Sequence, residues 1–164
     1  TDNTTVGNVE NPFTPIENVS EGGTTQEKIY YQGYEMIGTI RIPKTNLECP
    51  VLEEVTKGSI EVAVAKLYPP GVQLNQVGNI VISGHNYRNG TFFSNNKQLE
   101  IGDVIYITDI TGTQVAYTIY NIYETNSEDT EYITRDTNGA REISLTTCTD
   151  ESDNQRLIIW ARES

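Results

Sequence analysis

Metal-ligating and basic residues are scarce in this chain. One His, His85, and two Cys, Cys49 and Cys148, are its whole stock of nitrogen and sulfur ligands, which starves any zinc site that needs three or four of them. Eleven Lys and Arg stand against 23 Asp and Glu, a formal net charge of −12. That balance argues against nucleic acid and anionic lipid surfaces as partners, since both are bound chiefly through basic patches. Long hydrophobic runs are missing too: stretches such as Leu157 to Ala161 fall far short of the ~20 residues a membrane span requires. There is no cofactor fingerprint and no internal repeat, so neither a cofactor nor a metal is expected.

What is present suits one polar, β-rich domain. The 164 residues are 36% hydrophobic, with ten Tyr against three Phe, a composition of half-wet β surfaces rather than of a disordered chain. Residues 1–28 differ from the rest. They are rich in Thr, Asn, Glu and Gly, carry Pro12 and Pro15, and read as a polar linker or a strap ahead of a folded domain over 29–164.

From Tyr30 onward short β-type runs alternate with turn signals. Strands are predicted at Met36 to Ile42, Leu47 to Leu52, Asn79 to Ser83, Val104 to Thr108, Gln114 to Glu124, Glu142 to Cys148 and Gln155 to Ala161. Thr111-Gly112 and Asn138-Gly139 are predicted turns, the second of type I′ because both residues tolerate φ > 0. One helix is predicted: Ile60, Ala63, Val64 and Leu67 share a face at helical spacing, Thr56 or Ser59 can cap it, and Pro69-Pro70-Gly71 stops it. A second helical turn is predicted near Phe92 to Leu99. Seven or eight strands with so little helix imply a closed barrel or a sandwich, the two ways an all-β chain disposes of its edges.

With one His and two Cys, a thiol–imidazole pair is the main route to catalysis. Cys148 closes a strand and leads into a polar loop. Arg156 opens the next strand, so an antiparallel pairing across the loop brings its guanidinium towards the thiol. His85 ends another apolar strand. Spacing alone leaves the alternatives open, since a lone His in a loop or a lone Cys at a strand end is also an ordinary solvated or packing residue. Cys49, between Glu48 and Pro50 inside a strand, reads as structural. A Cys49–Cys148 disulfide in a non-catalytic surface β-domain is the competing account of the cysteine count.

The residues themselves carry more. Ile37-Gly38-Thr39-Ile40-Arg41-Ile42-Pro43-Lys44 with Pro50-Val51-Leu52, then Gly78-Asn79-Ile80-Val81-Ile82-Ser83-Gly84-His85, then Ser144-Leu145-Thr146-Thr147-Cys148 followed by Arg156, appear in the order and form typical of sortases. From about Met36 to Arg162 the chain resembles this family of Gram-positive cell-surface cysteine transpeptidases. Ser144 departs from the family motif Thr-Leu-X-Thr-Cys at its first position but keeps the hydroxyl.

The resemblance implies an eight-stranded sortase barrel, held at the outer face of the cell membrane by a single-span tether outside this sequence. It implies Cys148 as nucleophile, His85 as the acid that protonates the leaving amine, and Arg156 as the group holding substrate or oxyanion. It also implies Leu145, Thr147 and Ile133 as substrate contacts. The partners it implies are proteins with a Leu-Pro-X-Thr-Gly-like sorting signal, cleaved between Thr and Gly, and an amine acceptor on a peptidoglycan precursor or a pilin; a thiol peptidase with water as acceptor uses the same residues. The segment Glu124 to Arg141 is too short for a class B helical insertion, which leaves a compact class A, D or E type. Asn11-Pro12-Phe13 resembles a class C lid motif with Asn in place of Asp, and reads as a linker Pro-Phe. Some class A members bind calcium. Here Glu128, Asp129, Glu131 and Asp136 on one loop have no carboxylate facing them from Tyr68 to Gly78, and read as a solvated face.

Overall fold

The computed structural model describes residues 28–164; the linker and the Asn11-Pro12-Phe13 expectations lie outside them. Nine strands follow in chain order: β1 (Ile29–Tyr31), β2 (Tyr34–Ile42), β3 (Leu47–Leu52), β4 (Val64–Tyr68), β5 (Gly78–Ser83), β6 (Val104–Asp109), β7 (Gln114–Asn126), β8 (Arg141–Cys148) and β9 (Gln155–Glu163). The sheet runs β1-β2-β3-β4-β5-β8-β9-β7-β6, and a further β2–β6 pairing closes it into an eight-stranded barrel. β1 stays outside the ring, joined to β2 by a tight turn in which Gln32 and Gly33 both take positive φ.

All seven predicted strands are present, six of them longer by one or two residues. The Asn138-Gly139 turn is also present: both residues have positive φ, and the Ala140 amide donates to the Thr137 carbonyl. The predicted helix is corrected. Only Ser59–Val62 is α-helical (α1), with Thr56 and Ser59 exchanging side-chain and backbone hydrogen bonds at its start. Ala63 is already extended and Val64 begins β4. β4 lies parallel to β3 and antiparallel to β5, so Val64, Ala65 and Lys66 are buried on both faces. A strand covered on both sides loses its alternation, and its apolar residues then mimic helical spacing. Lys66 is tolerated there because Glu53 and the Val72 carbonyl accept from its ammonium. Near Phe92 to Leu99 the predicted turn is a single 3₁₀ turn, Asn96–Gln98.

The barrel interior is aliphatic, with Ile40, Ile42, Ile80, Ile82, Ile107 and Ile159 at its centre. Each fully buried Ile contributes about 1.5–3 kcal/mol. A second, smaller cluster lies on the outer face of β5, β8 and β9. There Val81, Tyr132 and Ile158 are buried together with Ile133, Tyr123 and Trp160 packed against them. The segment 127–140 between β7 and β8 supplies Tyr132 and Ile133, so it is laid back over this face. Among the described residues no helix is long and apolar enough to cross a membrane.

Candidate active site

β8 and β9 are antiparallel neighbours whose last pair is Cys148 opposite Arg156. The register brings the Arg156 Nη1 to 3.3 Å from the Cys148 Sγ. The same nitrogen donates to the Asp153 carbonyl, which holds the guanidinium across the mouth of the β8–β9 loop. β5 runs parallel to β8 on its other side, paired as far as Ser83 opposite Thr146, and the Gly84 amide carries the ladder on to the Thr146 carbonyl. Two residues beyond that last pair stand His85 and Cys148. Three neighbouring strands therefore deliver His85, Cys148 and Arg156 to one rim.

They also share a face. Ile143 and Leu145 belong to the interior cluster, so period-two alternation turns Ser144, Thr146 and Cys148 outward. On β9, Ile159 and Ala161 point in, and Ile158 and Arg156 point out. On β5, a Cβ at Gly84 would meet Phe93 at 2.5 Å and Val64 at 2.8 Å. Gly84 thus faces inward, and His85 next to it turns outward, its ring 4.8 Å from that of Tyr87. Among the described residues no hydrogen bond joins the imidazole to the thiol; strand register brings them to the same rim, and Arg156 is the side chain bonded to sulfur.

A polar clasp fixes the loop after the cysteine. Asn86, beside His85, donates to the Cys148 carbonyl at 3.0 Å and to Asp150 Oδ1 at 2.8 Å. Arg88 bonds the Thr149 and Asp150 carbonyls and the Asp153 carboxylate. Lys97 reaches Asp150 at 2.7 Å, and together with Asn86 it holds that carboxyl below its usual range. The histidine-bearing loop is therefore tied to the cysteine-bearing strand. Asn86, Arg88 and Asp150 were invisible as a set in the sequence, since more than 60 residues separate the two loops.

Beside Cys148 a cavity of about 350 Å³ opens into the barrel mouth, lined by Asn86, Phe93, Thr147, Asp150 and Leu157 among others. Thr147 faces it from inside. Its side chain is buried and its hydroxyl has no hydrogen-bond partner among the described residues. Leu145 does not reach the surface: it is wholly buried in the barrel interior, which leaves none of its side chain for a substrate to touch. Ile133 lies on the outer face, packed against Val81, Tyr132 and Ile158.

Both cysteines are free. This corrects the disulfide alternative: Cys49 packs from β3 against the interior cluster, where burial pushes its thiol up to about 11, while Cys148 stands on the outer rim beside Arg156. Two carboxylates of the acidic run accept hydrogen bonds within local turns. Asp129 accepts from Thr125 and from the Glu131 amide, and Asp136 from the Asn138 amide. Among the described residues no three His, Cys, Asp or Glu side chains are grouped as metal ligands.

Comparison with known proteins gives a consistent picture. The sortase domain family matches residues 40–164. The chain is 32% identical over 131 residues to Sortase A of Bacillus anthracis, an alignment that covers 77% of this chain and 59% of that protein. It is also 32% identical over 111 residues to Sortase D of Bacillus subtilis strain 168, covering 68% and 53%. The solved structure of Sortase A from Corynebacterium diphtheriae superposes with a TM-score of 0.70 at 29% identity, over 80% of this chain and 61% of that one. The chain spans a little over half the length of the curated relatives it matches.

Proposed function

The chain belongs to the sortase family, and from that membership we propose that it is a cysteine transpeptidase of the Gram-positive cell surface, acting on proteins with a Leu-Pro-X-Thr-Gly-like sorting signal. The Cys148 thiolate attacks the carbonyl between Thr and Gly. The Arg156 guanidinium donates to the oxygen as it gains charge, a preorganised contact of the kind that stabilises tetrahedral intermediates. The His85 imidazolium gives its proton to the departing glycyl amine, and the C–N bond breaks to leave a thioester on Cys148. An amine on a peptidoglycan precursor or a pilin then attacks the thioester, His85 takes up its proton, and the new amide leaves with the thiolate and imidazolium restored.

One observation carries this reading: Arg156 Nη1 lies 3.3 Å from Cys148 Sγ, on the rim and face that His85 reaches two residues beyond the end of β5. The compact segment between β7 and β8 supports a class A, D or E type. Attachment to the membrane by a tether outside the described residues belongs to the same proposal.

The test is incubation with a labelled Leu-Pro-X-Thr-Gly peptide library, with and without a primary amine, read by mass spectrometry. Thr–Gly cleavage with the amine incorporated is expected. Cleavage with water alone as acceptor, at every amine concentration, would make it a thiol peptidase instead.

A further inference from the structure

The mechanism leaves unused the most heavily bonded side chain on the catalytic face. Arg135 lies in the segment between β7 and β8, and its side chain is 10% exposed. Its Nε donates to Ser144 Oγ at 3.2 Å. Nη2 donates to the same hydroxyl at 3.0 Å, to Asn79 Oδ1 at 3.1 Å and to the Ile143 carbonyl at 3.3 Å. Nη1 donates to Glu142 Oε1 and to the Tyr120 hydroxyl. One face of the guanidinium covers the Trp160 ring at 4.2 Å from its centroid. A planar fork with this many directed donors is a geometry that no other side chain reproduces.

The partners belong to the barrel wall, on β5, β7, β8 and β9, whereas Arg135 belongs to the covering segment. Asn79 completes the attachment by donating to the carbonyls of Tyr132 and Ile133. Tyr132 donates to Thr146 Oγ1 at 3.2 Å, two residues from Cys148 on the same outward face. Tyr132 thereby fastens the segment to β8 two residues short of Cys148. Ser144, the position where the chain departs from the family motif, is the hydroxyl on which the arginine closes: it accepts twice from Arg135 and donates to Asn79 at 2.8 Å.

We propose that Arg135 is a positioning residue, a latch that locks the 127–140 segment onto the outer face of β5, β8 and β9 through Ser144, Asn79 and Trp160, and so holds the wall of the peptide groove ready-formed. Its partner Ser144 is four residues along β8 from Cys148, roughly 13 Å at strand rise, so Arg135 acts through the wall it fixes. Preorganising a wall saves the ordering that binding otherwise requires, which places its effect on substrate capture rather than on the chemical step. The kinetic part of this proposal rests on the sortase reading; the latch itself does not.

The test compares Arg135→Lys and Arg135→Gln with wild type, and adds Ser144→Ala. Glu142 keeps Arg162 and Tyr120 as donors in every variant, which preserves the barrel. Two readouts are independent of activity: hydrogen exchange of the amides from 129 to 135, and the fluorescence of Trp160, the chain's single tryptophan. Both should change in the Arg135 variants while protection in β5, β8 and β9 stays at the wild-type level. With a cleavable peptide, KM should rise roughly tenfold with kcat within about threefold of wild type. Ser144→Ala should lie between. Unchanged exchange and emission in both Arg135 variants would overturn the latch, whether or not the protein cleaves peptides. A loosened segment with unchanged KM, or a fall confined to kcat, would overturn the positioning role. Failure of the wild type to cleave any peptide would sink the transpeptidase reading, and the exchange data would still decide the latch.

Discussion

At the scale of single residues, Cys49 and Cys148 are the same side chain in opposite surroundings. Burial pushes the Cys49 thiol up to about 11, so near pH 8 only about one molecule in a thousand carries it as thiolate. Cys148 has a guanidinium nitrogen 3.3 Å away. Cys148→Ala should abolish peptide cleavage and remove the fast phase of iodoacetamide alkylation, whereas Cys49→Ala should leave both nearly intact. Labelled-peptide turnover and mass-resolved alkylation of the folded protein check this, and equal losses in two folded variants would reverse the assignment. Arg156 calls for a different substitution. Its Nη1 bonds both the sulfur and the Asp153 carbonyl, and a lysine offers a point charge without the fork. Arg156→Lys should lower kcat/KM by about 100-fold or more, the typical loss for an oxyanion donor. Retention of most activity would mean that the charge alone matters.

At the scale of elements, the packing of the 127–140 segment on β8 has an acidic weak point. Glu142 is 1% exposed. Burial pushes its carboxyl up, but hydrogen bonds from Tyr120, Arg135 and Arg162 outweigh that and hold it below its usual value. Because the folded value is depressed, this contribution to stability is complete above the unfolded value of ~4.3 and is lost as pH falls through the lower folded one. Glu142→Gln should therefore be less stable at neutral pH by about 3 kcal/mol, the usual cost of breaking a buried pair by removing one partner. It should also lose part of the acid dependence below about pH 4.3. Urea unfolding at neutral and acid pH measures both; a parallel acid limb in wild type and variant would show that Glu142 is not the group that titrates.

At the scale of the whole molecule, everything depends on the closure of β2 onto β6. Gly38 sits at that seam opposite Asp109, and a Cβ there would lie 2.2 Å from the Thr108 carbonyl oxygen and 2.7 Å from Leu74. The first contact is with backbone, which cannot turn aside. Gly38→Ala should cost about 1–3 kcal/mol or more by overpacking and widen the β2–β6 seam. Denaturant midpoints and exchange of the β6 amides report it; a variant as stable as wild type would mean that the seam yields without penalty.

The elements themselves were legible in the sequence wherever one face of a strand meets the core and the other does not. That holds for β3, β7 and β9, whose alternation is local and survives without any knowledge of neighbours. The Cys148–Arg156 contact was legible for the same reason, since a short loop between antiparallel strands sets its register. The placing of His85 came from its motif, and the parallel β5–β8 register then accounts for it. What the sequence concealed is non-local. β4 was misread because burial on both faces erases the alternation that distinguishes strand from helix. Leu145 is turned into the interior by barrel closure, a direction that a motif does not state. The Arg135 cluster draws on Asn79, Tyr120, Glu142, Ser144 and Trp160, spread over more than 80 residues of chain. Chemistry of residue types and local period is written along the chain; which buried donor meets which acceptor is decided only when the strands close and desolvation requires each polar group to find a partner.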